Sequence, residues 1–263
     1  MDRSHGRIMS WQFLNTGAHS GQFNMDVDLE LARSLQQDSG KQTLRLYRWY
    51  PFAISIGFNQ RLDEIDTDAC AACGIDVVRR PTGGRAILHA EELTYSVVMY
   101  SQGKNTMEVY RQIGSALVCG LQKLNPEIHM GRVQPDFPAL YRQSSSVSCF
   151  SSTARYEIQY QGKKLAGSAQ RRFPAANDGQ AEVVLQHGSI LIGPEHRRLA
   201  EFTRNGKTTA AGIRQALVEK TTELSAILQR TVSTDELADV IRIGFEEEWN
   251  IAFEYSSITS VPV

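Results

Sequence analysis

The sequence predicts an α+β (mixed α/β) protein built on a mixed sheet, and three observations carry that prediction. Strand-like runs and helical stretches are interleaved, but without the regular strand–helix–strand rhythm of a doubly wound parallel sheet. The strand-like runs lie between Trp11 and Ile192, whereas from about Glu195 to Asn250 the pattern turns helical. A chain of 263 residues, 41% hydrophobic and 22% charged, suits one large domain with its own core.

Taken in order, residues 1–10 read as a loose arm. Trp11–Leu14 alternates like a short strand, and a helix follows from Asn24, a suitable cap, with Met25, Leu29, Ala32 and Leu35 on one face. Leu44–Trp49 and Ala53–Phe58 read as strands, Asp63–Cys73 as a helix stopped by Gly74, and Ile75–Arg80 as a strand. Pro81-Thr-Gly-Gly84 then makes a turn into Ala86–His89, and a strong strand covers Leu93–Tyr100. Met107–Leu124 is helical, with Val109, Ile113, Ala116, Leu117 and Leu121 aligned. After a polar loop, Arg155–Tyr160 and Lys164–Arg171 form a hairpin about Gly162, and Glu182–His187 and Ser189–Ile192 continue the sheet. Ser233–Glu236 is a capping box for a helix whose stripe is Leu237, Val240, Ile241, Gly244 and Phe245.

Bulk properties exclude several classes. A formal net charge of -1 gives no electrostatic footprint for nucleic acid. The first residues lack the apolar core of a signal peptide, and no run approaches the roughly eighteen apolar residues of a membrane helix. The expected setting is therefore the cytoplasm, with no membrane partner and the four cysteines reduced. Cys70 and Cys73 form a CxxC, but no second pair or His spacing completes a zinc site, so they read as packing residues near a helix end, and no metal is expected.

Four places could carry chemistry. In Arg79–His89, the adjacent Gly83 and Gly84 let backbone approach a ligand, and Arg79, Arg80 and Arg85 add donors; the plain alternative is a tight hairpin with solvated arginines. Cys149 follows a serine-rich loop that could display a nucleophile, although a lone cysteine is commonly a small buried hydrophobe. Lys164 lies one hairpin away, where an ammonium would favour the thiolate. On a regular strand Lys164, Ala166 and Ser168 share a face, and the small Ala166, Gly167, Ser168 and Ala169 leave room for a slim ligand; otherwise this is an exposed edge strand with a solvated lysine. His187 is an acid–base candidate or a structural turn histidine.

The run Arg79-Arg-Pro-Thr-Gly-Gly-Arg, His89, Glu92-Leu-Thr-Tyr-Ser96 and Lys164-Leu-Ala-Gly-Ser-Ala-Gln170 resembles the biotin/lipoyl protein ligase superfamily. Within it, the sequence resembles the single-domain, cysteine-dependent octanoyltransferases of bacterial lipoate assembly. Phe23–Met25, Leu44–Gln60, Ser146–Arg171 and Val183–Leu191 add to the match, which spans most of the chain between Trp11 and Phe253. The resemblance implies a mixed, largely antiparallel sheet flanked by helices, like the core of class II aminoacyl-tRNA synthetases. It implies one catalytic domain over 11–253, helical from 195 to 250, with a tail at 254–263. It also implies an acyl tunnel beside the glycine turn, with Arg79, Arg80, Thr82, Gly83, Gly84, His89, Gly167, Ser168 and Ala169 as substrate-binding residues and Cys149 and Lys164 as catalytic ones. The implied reaction takes octanoyl from acyl carrier protein through a Cys149 thioester to a lysine of an apo lipoyl-domain protein, either the glycine cleavage H protein or a 2-oxoacid dehydrogenase. No cofactor is needed, because the thioester is already activated. An ATP-dependent lipoate–protein ligase and an octanoyl amidotransferase are the alternatives. The chain departs from the family at Ala90, where Asp usually follows the histidine. Arg171 and Arg172 could steer acidic carriers.

Overall fold

Eight strand-forming runs hydrogen-bond into one sheet, and three more form a small second sheet. The computed structural model describes residues 11–131, 157–174, 182–204 and 209–256. The large sheet holds β1 (Trp11–His19), β2 (Gln42–Trp49), β6 (Glu92–Tyr100), β7 (His129–Met130), β8 (Ile158–Tyr160), β9 (Lys163–Pro174), β10 (Glu182–Leu191) and β11 (Phe253–Tyr255), in the order β11-β1-β2-β6-β10-β9-β8-β7. The β11–β1 and β1–β2 pairs are parallel and the others antiparallel. The small sheet is β4 (Asp76–Arg79), β3 (Ala53–Ile56) and β5 (Ile87–His89), with β3 in the middle. This is the mixed, largely antiparallel architecture expected.

Apolar faces sort the layers. The helices α3 (Thr106–Leu121) and α6 (Thr234–Trp249) cover one side of the large sheet, burying Val109, Ile113, Leu117, Leu237, Ile241 and Phe245 against Leu46, Tyr95 and Val97. On the other side α1 (Gly21–Gln36) packs Val27, Leu31 and Leu35 against Leu14, Val98 and Leu185. The small sheet lies on this second side, backed by α2 (Thr67–Ala72), a 3-10 segment Pro194–Phe202 and α4 (Ala210–Lys220). A short α5 (Leu224–Leu228) leads into α6. Among the described residues, no helix is long and apolar enough to cross a membrane.

Most predicted elements are present, and the differences have physical causes. Ser20, not Asn24, caps α1, because its extended backbone lets its hydroxyl accept from Phe23 N. Asn24 is fully buried, and its amide donates to the His19 and Arg48 carbonyls. The stretch Asp63–Cys73 is not one helix. The amide of Asp66 bonds outward to Phe202 O (2.8 Å), so a 3-10 turn at Leu62–Glu64 ends there, and Asp66 caps α2. Of the two cysteines expected to pack, Cys70 enters the apolar cluster of the small sheet, where burial pushes its thiol up to about 11, whereas Cys73 at the end of α2 is exposed. Nor do β4 and β5 make a hairpin, since β3 is inserted between them. The two runs after Glu182 are one strand, passing through Gly188. The hairpin about Gln161-Gly162 and the buried stripe of α3 stand as predicted. Half of the capping box of α6 is made, for Ser233 accepts from Glu236 N while the Glu236 carboxylate turns to Arg230. The last strand runs to Tyr255, past the expected boundary at 253.

Candidate active site

The glycine turn joins β4 to β5, and its shape is imposed by main-chain crowding. Phe58 N donates to Thr82 O (2.9 Å), which draws the 57–60 loop onto the turn. Gly84 has φ +96°, where a side chain is strained. A Cβ on Gly57 would lie 2.0 Å from Gly84 O, so residue 57 must be glycine for the two segments to meet. Gly57→Ala is expected to destabilise the protein by about 1–3 kcal/mol through overpacking against the Gly84 carbonyl, measured by denaturant unfolding.

The arginines hold the turn rather than standing open to a ligand. Arg80 is 3% exposed, and its guanidinium donates to Ser55 O, Ser55 Oγ, Gly83 O and Arg85 O at 2.7–3.1 Å. Arg79 lies on the surface and donates from Nη1 to the carbonyls of Gly57, Phe58 and Gln60. Arg85 pairs with Glu64 at 3.4 Å. Arg171 donates to Pro81 O and stacks over the rings of Phe58 and Phe173, while Arg172 bonds Glu182 and Lys104 O. Both residues expected to face carriers thus have intramolecular partners.

A cavity opens between the two sheets beneath this turn. Its walls include Met25, Trp49, Ile87, Arg80, His89 and His187, and the segment Gly167–Ala169 forms one side. Small residues keep that side open. Gly188, paired with Ser168, admits no Cβ on the sheet face turned from the cavity, where it would stand 2.4 Å from Gly167 O and 2.8 Å from the Tyr95 ring. Ser168 is fixed by Tyr95, whose hydroxyl donates to its Oγ (2.6 Å), and burial pushes the Tyr95 phenol up to about 12. Of the predicted binding residues, the fold therefore gathers Arg80, His89, Gly167, Ser168 and Ala169 around one cavity, with His187. Thr82 is buried behind His187, whereas Gly83 and Gly84 are exposed at the turn and Arg79 stands off the cavity.

Both histidines sit in hydroxyl–imidazole–carboxylate chains. Arg80 Nη1 donates to Ser55 Oγ, which leaves the Ser55 hydrogen for His89 Nε2 (2.7 Å), and Nδ1 of His89 bonds Glu92 Oε1 (2.8 Å). Trp49 stacks on His89 at 4.0 Å and donates through Nε1 to Thr94 Oγ1, whose own hydrogen goes to Glu92. His187 bonds Thr82 Oγ1 through Nε2 (2.6 Å) and Asp28 Oδ2 through Nδ1 (3.0 Å). Burial pushes His187 down, and the Asp28 carboxylate opposes this only in part. Burial pushes Asp28 up, but the Arg45 guanidinium and the His187 bond leave it below the ordinary carboxylate range.

Lys164 is not the solvated edge lysine that one reading allowed. It is 1% exposed on an interior strand, and Nζ donates to Glu157 Oε1 at 2.5 Å. Its direction also differs from that of a regular strand. Ile158 pairs with Ala166 and Gln159 with Lys164, so Leu165 is an extra residue, a β-bulge. Leu165 and Ala166 enter the same apolar cluster, and Lys164 no longer shares a face with Ala166. Cys149 lies outside the described residues.

Sequence reasoning passed over Asp28, Arg45, Ser55 and Gly57, and gave Glu92 no role beyond its place in a motif. One signal was available: Asp28 stands in register with Leu31, Ala32 and Leu35, on the stripe that α1 buries. Arg45 takes a polar position in a strand that alternates apolar and polar residues, a pattern that gives no hint of burial, yet β2 is covered on both faces.

The two-sheet architecture is that of solved lipoate-protein ligases. The structure superposes on a lipoate-protein ligase A bound with ATP at a TM-score of 0.76, with 23% identity, over 96% of this chain and 90% of that one. It matches the bi-partite lipoate protein ligase of Thermoplasma acidophilum at 0.74, also at 23% identity, over 96% and 88%. At that identity the likeness establishes the fold. The family model of the lipoyl protein ligase A/B catalytic domain matches residues 20–246, and the chain belongs to that family. Relatives named Octanoyltransferase LipM are similar along almost the whole length. The protein of Kyrpidia tusciae is 36% identical over 96% of this chain and 92% of its own, and that of Staphylococcus aureus 32% identical over 95% and 91%.

Proposed function

We propose that this protein is an octanoyltransferase of protein lipoylation, taking octanoyl from acyl carrier protein and placing it on a lysine of a lipoyl domain. The near-full-length identity to octanoyltransferases carries the reading. The acyl chain is assigned to the cavity bordered by Met25, Trp49, Ile87 and the small residues Gly167–Ala169, whose free space of about 20 Å³ has to widen to admit it. In the first step the Cys149 thiolate attacks the carrier thioester, forming a new C–S bond and releasing the carrier thiolate. In the second the acceptor lysine amine attacks, the amide forms, its extra proton leaves, and the Cys149 thiolate departs. Lys164, with Arg80, His89 and His187 about the cavity, belongs to this site in the proposal, and the catalytic domain runs from Trp11 through the last strand at Tyr255. Cytoplasmic acyl carrier protein would place the enzyme in the same compartment.

Incubation with octanoyl-acyl carrier protein and an apo lipoyl domain, without ATP, tests this. Mass spectrometry should find the lipoyl domain octanoylated. Modification that requires free acid and ATP would instead make the protein a ligase, and transfer only from another octanoylated domain would make it an amidotransferase.

A further inference from the structure

Asp28 and Arg45 have no solvent exposure, and their ion pair (2.8 Å) is buried between α1 and the large sheet. Taking two charges out of water costs more than their attraction returns unless the surrounding donors and acceptors are satisfied, and apolar replacements can serve a fold equally well. Here the satisfaction is thorough. Arg45 donates to Asn24 O, Asn24 Oδ1 and Thr16 Oγ1 besides Asp28 Oδ1, and its guanidinium lies 4.0 Å from the centre of the Tyr47 ring. The Tyr47 hydroxyl donates to Asp28 Oδ2. What this arrangement delivers to the cavity is one acceptor, Asp28 Oδ2, aimed at His187 Nδ1.

We infer that Asp28, held by Arg45, is a positioning residue of the acyl site: it keeps the His187 proton on Nδ1, so that Nε2 accepts the Thr82 hydroxyl and ties the glycine turn to β10. The opposite tautomer would set the Nδ1 lone pair against a carboxylate. It would also require Thr82 Oγ1 to accept, turning its hydrogen away from the imidazole. Phe58 N already bonds Thr82 O, so the hydroxyl is the second of two ties that set this residue. An apolar pair in place of Arg45 and Asp28 could fill the space but could not choose a tautomer. The inference rests on reading this cavity as the acyl site, although its first test does not.

Nitrogen NMR of the imidazoles in the whole protein at neutral pH, with His187 assigned by its loss in His187→Gln, should show the proton on Nδ1. A proton on Nε2 would overturn the inference whatever the activity. Octanoyl transfer is then measured for Asp28→Asn, Thr82→Val and the double variant. Each single change should lower kcat/KM by about tenfold to a hundredfold. The double variant should fall no more than about threefold below the weaker single one, because both act through one imidazole. Independent, multiplying losses would overturn it. Should Asp28→Asn fail to fold, the wild-type tautomer decides alone. A wild-type protein that holds the Nδ1 tautomer but transfers no octanoyl would remove the functional reading and leave the tautomer assignment standing.

Discussion

Replacing Cys149 with alanine is expected to stop octanoyl transfer, lowering the rate by at least about a thousandfold, since residues that form a covalent intermediate are not bypassed cheaply. The acyl-enzyme mass shift after mixing with octanoyl-acyl carrier protein should vanish with it. The thermal midpoint should stay unchanged if Cys149 serves as a nucleophile in a polar, serine-rich segment and not as a core side chain. A variant with full turnover would remove covalent catalysis from the scheme. One that lost midpoint and activity together would make the cysteine structural.

Lys164→Met is expected to fail in two separable ways. Glu157 would lose the ammonium of a buried pair, in which the side chains are 1% and 9% exposed, and breaking such a pair costs about 3–5 kcal/mol. If Lys164 favours the Cys149 thiolate and steers its proton as proposed, transfer should also fall by at least about a hundredfold. Pairing the change with Glu157→Leu distinguishes the two losses. Removing both charges together should recover most of the denaturant stability, as apolar replacement of a buried pair commonly does. Transfer should not recover. A stable double variant with near-normal turnover would make Lys164 structural.

Local pattern alone disclosed a good part of this. The stripe Val109, Ile113, Ala116, Leu117, Leu121 buries as its spacing predicts, since helical period and burial coincide on an amphipathic helix. The Gln161-Gly162 hairpin was readable from its turn residue. The glycine turn, Lys164 and the 167–169 segment were found through motif resemblance, whereas the meeting of Arg80, His89 and the 167–169 segment about one cavity came with the fold. Period-based reasoning failed where burial was two-sided. Arg45 alternates like a solvent-facing side chain, but β1 and β6 flank its strand and layers cover both faces. A single extra residue at Leu165 was likewise enough to overturn the alternation assumed for Lys164.

Residue order therefore settled the fold class, the element types and the motif residues, because these depend on spacing along the chain. Tertiary structure decided which of those residues meet. Asp28, Arg45, His187 and Thr82 come from four distant segments, and no spacing rule relates them. Packing alone makes them neighbours, and desolvation then compels each to bond the next. The Arg79 and Arg80 side chains show the same limit from the other direction. Their sequence marks them as donors, but only the folded backbone shows that the carbonyls of 55–60 and of the turn are what they hold.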